Sequence, residues 1–311
     1  MNVVFFGSPA ASLPTLKRLV ASPHRVTLVV TQPDRPAGRG RAETACPVKS
    51  FALERGLPVY QPERIRKDPA ALDRLREARP DVHVVVAFGQ IMPGPVIYLP
   101  PFRSLNVHFS LLPKYRGAAP VPWAILNGDA VTGITVFELD EKMDEGPILA
   151  RREVDIAPDE KSFELEARLA EVGANLLVET LEGLGRIRPE PQDAAAASYA
   201  PKIKKDDGRI NWREPAEAVG RRVRAFAGWP SAFAYLGGKR IIIHAGRALP
   251  GTSGASGAPG TVARVAAEGI EVRCGDDSVF LVKSVQPENG RAMTAEAFAR
   301  GHRVGAGVVF D

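Results

Sequence analysis

The chain has 311 residues, 45% of them hydrophobic and 25% charged, with 41 Lys and Arg against 36 Asp and Glu. That balance belongs to a globular protein able to bury a sizeable core, and it excludes disorder beyond local stretches. The start, MNVVFFGSPA, has no basic region beside its apolar run and the longest apolar runs are strand-sized, so neither a signal peptide nor a membrane span is expected, and a cytoplasmic location is.

Taken in order, Val3 to Phe6 form an apolar run closed by Gly7, the pattern of a strand buried on both faces. Leu13, Leu16, Leu19 and Val20 then recur at helical spacing, and residues 26–30 supply a second strand, which together read as βαβ. The Gly7-Ser8-Pro9 turn is no dinucleotide fingerprint, because G-x-G-x-x-G is absent and Pro9 removes a backbone donor. Residues 31–47, TQPDRPAGRGRAETACP, read as a loop carrying Arg35, Arg39 and Arg41. These guanidinium groups suit phosphates, and a solvated charged loop is the equal alternative. Helices are expected over 48–55 and 69–78, with a short strand at 58–60 between them. Residues 82–88 form a strongly apolar strand ending in Gly89-Gln90-Ile91-Met92-Pro93, a loop at the carboxyl end of a central strand, where open α/β sheets place ligands.

The chain is organised around residues 104–117, SLNVHFSLLPKYRG. Strand alternation turns Val107 inward and puts Asn106 and His108 together on the opposite side. A helix over 118–127, a strand over 132–139, an acidic turn DEKMDEG at 140–146 and a strand over 147–154 follow, with Asp144 at the tip of the return. The longest helical pattern covers 162–184, with Leu165, Leu169, Val172, Leu176, Leu177 and Leu181 on one side. Residues 186–205 lose periodicity and read as a linker. Beyond them a helix at 215–226 precedes short, turn-separated strands at 232–235, 240–248, 260–265, 270–274 and 279–285, with a Gly/Ser-rich loop at 250–257. The expected organisation is α/β: a Rossmann-like, mostly parallel sheet domain over 1–185, a linker over 186–205, and a small OB-fold-like β-barrel domain over 206–311.

Asn106, His108 and Asp144 form a candidate constellation. An amide can donate to a developing oxyanion, an imidazole can move a proton near neutral pH, and a carboxylate can orient that imidazole. The plainer alternative is a strand-end histidine and asparagine that satisfy backbone groups. Ser110 lacks the G-x-S-x-G elbow of a nucleophile, which favours a hydrogen-bonding role. Cys46 and Cys274 lie far apart without a partner pattern, so neither a disulfide framework nor a zinc site is expected.

Asn106-x-His108, Ser110-Leu-Leu-Pro113, Arg116-Gly117, Gly133-x-Thr135 and Met143-Asp144-x-Gly146 together resemble the folate-dependent formyltransferases. The likeness runs nearly end to end, through residues 31–40, Val86-Ala-Phe-Gly89, Tyr199-Ala-x-Lys202, Ile210-x-Trp212 and Arg224-Ala-Phe226-x-x-Trp229-Pro230. The basic loop and the C-terminal part make it most similar to the branch that acts on charged tRNA. Phe109 departs from the pattern, standing where some members have glycine.

The resemblance implies transfer of a formyl group from 10-formyltetrahydrofolate to the α-amino group of methionine on initiator tRNA, without a metal. By that likeness Asn106 and His108 hold the oxyanion, and Asp144 tunes His108 and helps relay protons. Ser110, Leu111, Leu112 and Pro113, with the backbone of Phe88, Gly89, Gln90, Ile91 and Met92, bind the folate. Arg35, Arg39 and Arg41 approach the acceptor stem. From residue 202 to 224 there are eight basic and four acidic residues, and Lys202, Lys204 and Lys205 head this stripe. It can track phosphates, the alternative being a solvated linker and helix face. Trp212 and Trp229 are expected in the core rather than as stacking platforms. The nearest rival reading is a formyltransferase acting on a UDP-linked amino sugar. Glycinamide ribonucleotide formylation leaves the last hundred residues unexplained, and a non-catalytic RNA-binding protein leaves the intact triplet unexplained.

Overall fold

The computed structural model describes residues 1–37, 42–250 and 257–311. In chain order the first elements are β1 (Asn2–Gly7), α1 (Leu13–Val20), β2 (Arg25–Val30), β3 (Arg35–Ala37), β4 (Ala42–Thr44), α2 (Pro47–Glu54) and β5 (Val59–Tyr60). Then come α3 (Ala71–Glu77), β6 (Val82–Val86), α4 (Gly94–Ile97), β7 (Ser104–His108), β8 (Arg116–Gly117), α5 (Pro120–Asn127), β9 (Val131–Glu138), β10 (Ile148–Asp155), α6 (Ser162–Gly183) and β11 (Tyr199–Ala200). The last stretch holds α7 (Ala216–Ala225), β12 (Phe233–Leu236), β13 (Lys239–Leu249), β14 (Val262–Ala266), β15 (Gly269–Arg273), β16 (Val279–Pro287), β17 (Met293–Thr294) and α8 (Ala295–His302). Among the described residues no helix is long and apolar enough to cross a membrane.

The chain divides into two compact units. The first comprises Met1–Pro120, Val131–Asp155 and Glu166–Ala200; the second comprises Val121–Ala130, Ile156–Leu165 and Pro201–Asp311. A seven-stranded sheet in the order β10-β9-β7-β6-β1-β2-β5 forms the first unit, parallel except at β9 and β10. The chain winds outward from β1 through β2 to β5 on one side and from β6 to β7 on the other. The switch point therefore lies between β1 and β6, and the carboxyl ends of these strands are where an open α/β sheet places its ligand. Val3, Val4, Phe5 and Phe6 are fully buried, as the unbroken apolar run requires. Val107 faces α6, where a Cβ on Gly173 would come within 2.9 Å of its methyl group. By alternation Asn106 and His108 take the other face, which is covered as well: His108 is buried and Asn106 half-buried.

Several elements depart from the expectation. The 31–47 loop carries the two-stranded hairpin β3–β4, in which Arg35 pairs with Thr44 and Ala37 with Ala42. Pro36 and the surrounding glycines hide such a strand pair from a composition argument, since Pro cannot donate to a ladder. The strand expected over 82–88 stops at Val86, because Ala87 takes a φ of 46°. Two helices went unpredicted. In α4, proline occupies the first turn, where its missing N–H costs nothing. In α8, the Thr294 side chain caps the helix by accepting from Ala297 N at 3.2 Å. Residues 186–205, which read as a linker, carry the β11 pairing with β8 and a bridge from Glu190 to Ile148, both within the first unit.

The second unit holds an antiparallel, OB-fold-like sheet in the order β12-β13-β16-β15-β14, with β17 added beside β16. The eleven-residue β13 bends through register shifts near Ala245, which lets one strand follow a curved sheet. Its core gathers Val219 and Val223 of α7, Phe298 of α8, Phe280 and Trp212. Trp212 packs near Phe310, ring centroids 6.0 Å apart, as expected of a core residue. Trp229 corrects the expectation: it is 62% exposed, in a turn between Gly228 at φ 91° and Pro230 that turns the indole away from the apolar interior.

One buried group sets a pH dependence of stability. His83 on β6 is fully buried; Ser104 Oγ donates to Ile97 O at 2.7 Å and so receives His83 Nδ1–H at 3.1 Å, while Nε2 has no partner. Burial pushes its pKa down to about 3. The unfolded chain, with an ordinary histidine near 6.5, binds the proton first. Stability is therefore complete above that value and falls as pH drops toward 3. We expect this residue alone to remove about 3 kcal/mol between pH 7 and pH 4.5, at about 1.4 kcal/mol per unit. Urea unfolding of the wild type against His83→Leu measures it. Equal pH slopes for the two proteins would refute the assignment.

Candidate active site

Asn106 and His108 are delivered by the carboxyl end of β7, which pairs with β6 at the switch point. Register places Asn106 beside Val85 of β6 and Phe137 of β9, and His108 beside Thr135 of β9. The Thr135 hydroxyl locks the following turn, donating to Ser110 O at 2.7 Å and accepting from Leu112 N at 3.0 Å. Thr135 in the Gly-x-Thr motif thus shapes the Ser-Leu-Leu-Pro segment. Asp144 arrives from the β9–β10 return with φ 55°, a left-handed conformation that aspartate tolerates better than most side chains. The return is pinned at Gly146, where a Cβ would lie 1.8 Å from Glu138 O.

The two groups meet. His108 Nδ1 lies 3.8 Å from Asp144 Oδ2, an ion-pair distance outside direct hydrogen-bond reach. His108 Nε2 lies 2.9 Å from Tyr115 O, which can only accept, so Nε2 carries the hydrogen and Nδ1 is the basic nitrogen of the neutral ring. Protonation then occurs at the nitrogen facing Asp144. Phe137 packs edge-on against the imidazole, centroids 6.3 Å apart, and holds its plane. Asp144 Oδ2 also accepts from Gly117 N at 2.7 Å. Gly117 has φ 116°, and a Cβ there would approach Ala200 O to 2.8 Å, which accounts for the glycine after Arg116.

Of the residues implicated in folate binding, Phe88 and Met92 are buried in the core beside Phe6, and Phe88 O accepts from Gln32 Nε2 at 2.9 Å. Gln90 braces the neighbouring turn, accepting from Ile65 N at 2.7 Å and donating to Pro62 O at 3.0 Å. Gly89 and Ile91 are exposed in the loop after β6, Ile91 to 73%. Ser110 donates to Lys114 O at 2.6 Å, and Leu112 is buried with Phe137 and Ile148, while Leu111 and Pro113 stay half-buried. Phe109 is buried as well.

Of the basic residues, Arg35 is exposed on β3 and lies 3.2 Å from Glu63 Oε2; Arg39 and Arg41 fall outside the described residues. Lys202, Lys204 and Lys205 are exposed in the second unit. Arg221, Arg222 and Arg224 bind the Leu126, Asp207 and Glu160 carbonyls instead, and Arg222 also binds Glu214, so these three of the eight basic residues are structural.

Sequence reasoning passed over Gln192, which sits in the stretch expected as a linker, and it gave Arg116 no role. Gln192 Nε2 donates to both Asp144 O and Gly146 O at 2.8 Å, and its Oε1 accepts from Arg116 Nε at 3.1 Å and Nη2 at 2.8 Å. A lone glutamine in an aperiodic stretch carries no signal of this kind.

A family model described as formyl transferase matches residues 1–181, and one described as formyl transferase, C-terminal domain matches residues 202–303. A methionyl-tRNA formyltransferase of Myxococcus xanthus is 45% identical over 308 residues, covering 98% of this chain and 96% of the relative. The chain belongs to the methionyl-tRNA formyltransferase family. Another member, from Deinococcus radiodurans, is 45% identical over 310 residues and covers 100% of this chain and 96% of its own length. Among solved structures, HypX from Aquifex aeolicus in complex with tetrahydrofolic acid is similar with a TM-score of 0.62 at 18% identity. It covers 98% of this chain, which spans about half, 48%, of that protein, and at that identity the likeness speaks to fold alone. The formyltransferase family uses folate-derived formyl donors, and among the described residues no cluster able to hold a metal ion is present.

Proposed function

We propose that this chain transfers the formyl group of 10-formyltetrahydrofolate to the α-amino group of methionine carried by initiator tRNA. The observation that carries the chemistry is the fixed tautomer of His108, with Nε2–H spent on Tyr115 O and Nδ1 turned toward Asp144. The full-length likeness to methionyl-tRNA formyltransferases carries the choice of acceptor. The exposed Ile91, the half-buried Leu111 and Pro113, and the open backbone of Gly89 fit a flat, amphipathic folate ring at the switch point. The folate supplies the formyl carbon.

In the reaction the neutral amine attacks that carbon, a C–N bond forms, and negative charge gathers on the formyl oxygen. The adduct then collapses, the bond from the formyl carbon to the folate nitrogen breaks, and the proton lost by the amine goes to that nitrogen as tetrahydrofolate leaves. Asn106 donates to this oxygen from its amide, and His108 donates from the protonated Nδ1. Asp144 balances the imidazolium charge and assists removal of the amine proton. On the tRNA side, Arg35, Arg39 and Arg41 meet the acceptor end, while Lys202, Lys204 and Lys205 follow the phosphates. No obligate protein partner is evident from these residues.

The test is a choice of acceptors. With 10-formyltetrahydrofolate as donor, methionyl initiator tRNA is formylated and a UDP-linked amino sugar is not. Formylation of the sugar nucleotide with the tRNA untouched would establish the rival activity.

A further inference from the structure

The stretch between α6 and β11 looks like a connector, yet its Gln192 binds the turn that carries Asp144. We propose that Gln192 is a positioning residue for the formyl-transfer site, holding the Asp144 turn against His108, with Arg116 holding Gln192 in turn. The inference rests on the reading of Asp144 and His108 as reacting groups given above.

The geometry is a closed chain of contacts. One amide nitrogen of Gln192 donates to the carbonyls of Asp144 and Gly146, on either side of Glu145. Its two hydrogens are thereby used, and the carbonyls are held toward a single point. The amide oxygen takes two hydrogens from the planar Arg116 guanidinium, which is only 4% exposed, so the glutamine side chain cannot rotate without stranding a buried cation. The third nitrogen of Arg116 lies 3.6 Å from Glu145 Oε1, so the arginine grips the same turn a second time. Asp144 has a left-handed backbone, a conformation that persists only where its surroundings hold it. What is held is the carboxylate: Oδ2 stands 2.7 Å from Gly117 N and 3.8 Å from His108 Nδ1. Arg116 and Gly117 are consecutive, and β8 pairs with β11 through Tyr199 and Ala200, so one strand pair supplies both the clamp on the turn and the donor to its carboxylate.

Two variants separate the roles. Gln192→Met keeps the volume and loses every hydrogen bond. Gln192→Glu keeps an acceptor for Arg116 and offers the two carbonyls no donor. Both are expected to lower kcat by about 10- to 100-fold, the cost of a displacement of about 1 Å at a reacting group, with KM for folate and for tRNA unchanged. Added to Asp144→Asn, either substitution should lower kcat no further, because both act through one group.

A second readout does not depend on the substrate. Hydrogen exchange at the Gly117 amide should accelerate in both variants as its acceptor moves away, while strand amides of β6 and β7 keep their protection. Faster Gly117 exchange supports the clamp even in a protein that formylates another acceptor. Unchanged Gly117 exchange, or a kcat loss that multiplies that of Asp144→Asn, overturns it. Loss of β6 and β7 protection together with Gly117 in both variants would equally overturn it, by showing a general role in stability.

Discussion

His108→Ala is expected to lower kcat for formyl transfer by about 10²- to 10⁴-fold, the range that a positioned proton-transfer group supplies, with tRNA affinity close to wild type. The substitution removes the nitrogen that faces Asp144 and leaves Tyr115 O without its imidazole donor. Asp144→Asn is the sharper companion. An amide oxygen still accepts from Gly117 N, so the turn keeps its hydrogen bond while the negative charge opposite Nδ1 disappears. A fall in kcat of similar order in this variant would assign the effect to charge rather than to shape. Steady-state kinetics with charged tRNA, together with tRNA binding by filter retention, decides the matter. Wild-type kcat in either variant would remove the pair from the mechanism, and a rise in KM at constant kcat would move it to substrate binding.

The second large effect is expected on the RNA side. Replacing Lys202, Lys204 and Lys205 together by alanine removes three exposed cations that no described contact ties down, unlike Arg221, Arg222 and Arg224. If each neutralises one phosphate, the slope of log K against log salt falls by about 2 to 3. Each contact contributes about 0.7 log units at 0.15 M salt, so affinity drops by about 10²-fold, with kcat at saturating tRNA preserved. Binding titrations from 50 to 300 mM salt read the slope directly. An unchanged slope would make the three lysines a solvated surface.

The physical division between legible and hidden parts runs through particular residues. Hydrophobic periodicity marked β1, β2, β6 and β7 and the long α6, because a strand buried on both faces and a helix with one apolar side each leave a pattern in a single window. The Asn106, His108 and Asp144 triplet was legible as residue types, and its motifs placed Asp144 on a return after β9. Hairpin β3–β4 was not, since Pro and Gly conceal pairing that depends on backbone alone. Trp229 was misplaced, because exposure at a turn is decided by which way the chain leaves it.

By itself, then, the sequence pointed to an α/β part followed by a small β part, offered Asn106, His108 and Asp144 as a candidate triplet, and through its motifs resembled the family to which the chain belongs. Tertiary structure alone decided how those groups are arranged. The 3.8 Å between His108 and Asp144, the tautomer set by Tyr115 O and the Gln192 contacts with the Asp144 turn join residues 36, 7 and 48 positions apart in the chain. Such contacts are made when the sheet and the segment between α6 and β11 come together, and no periodicity in a stretch of sequence records which carbonyl a side chain will reach.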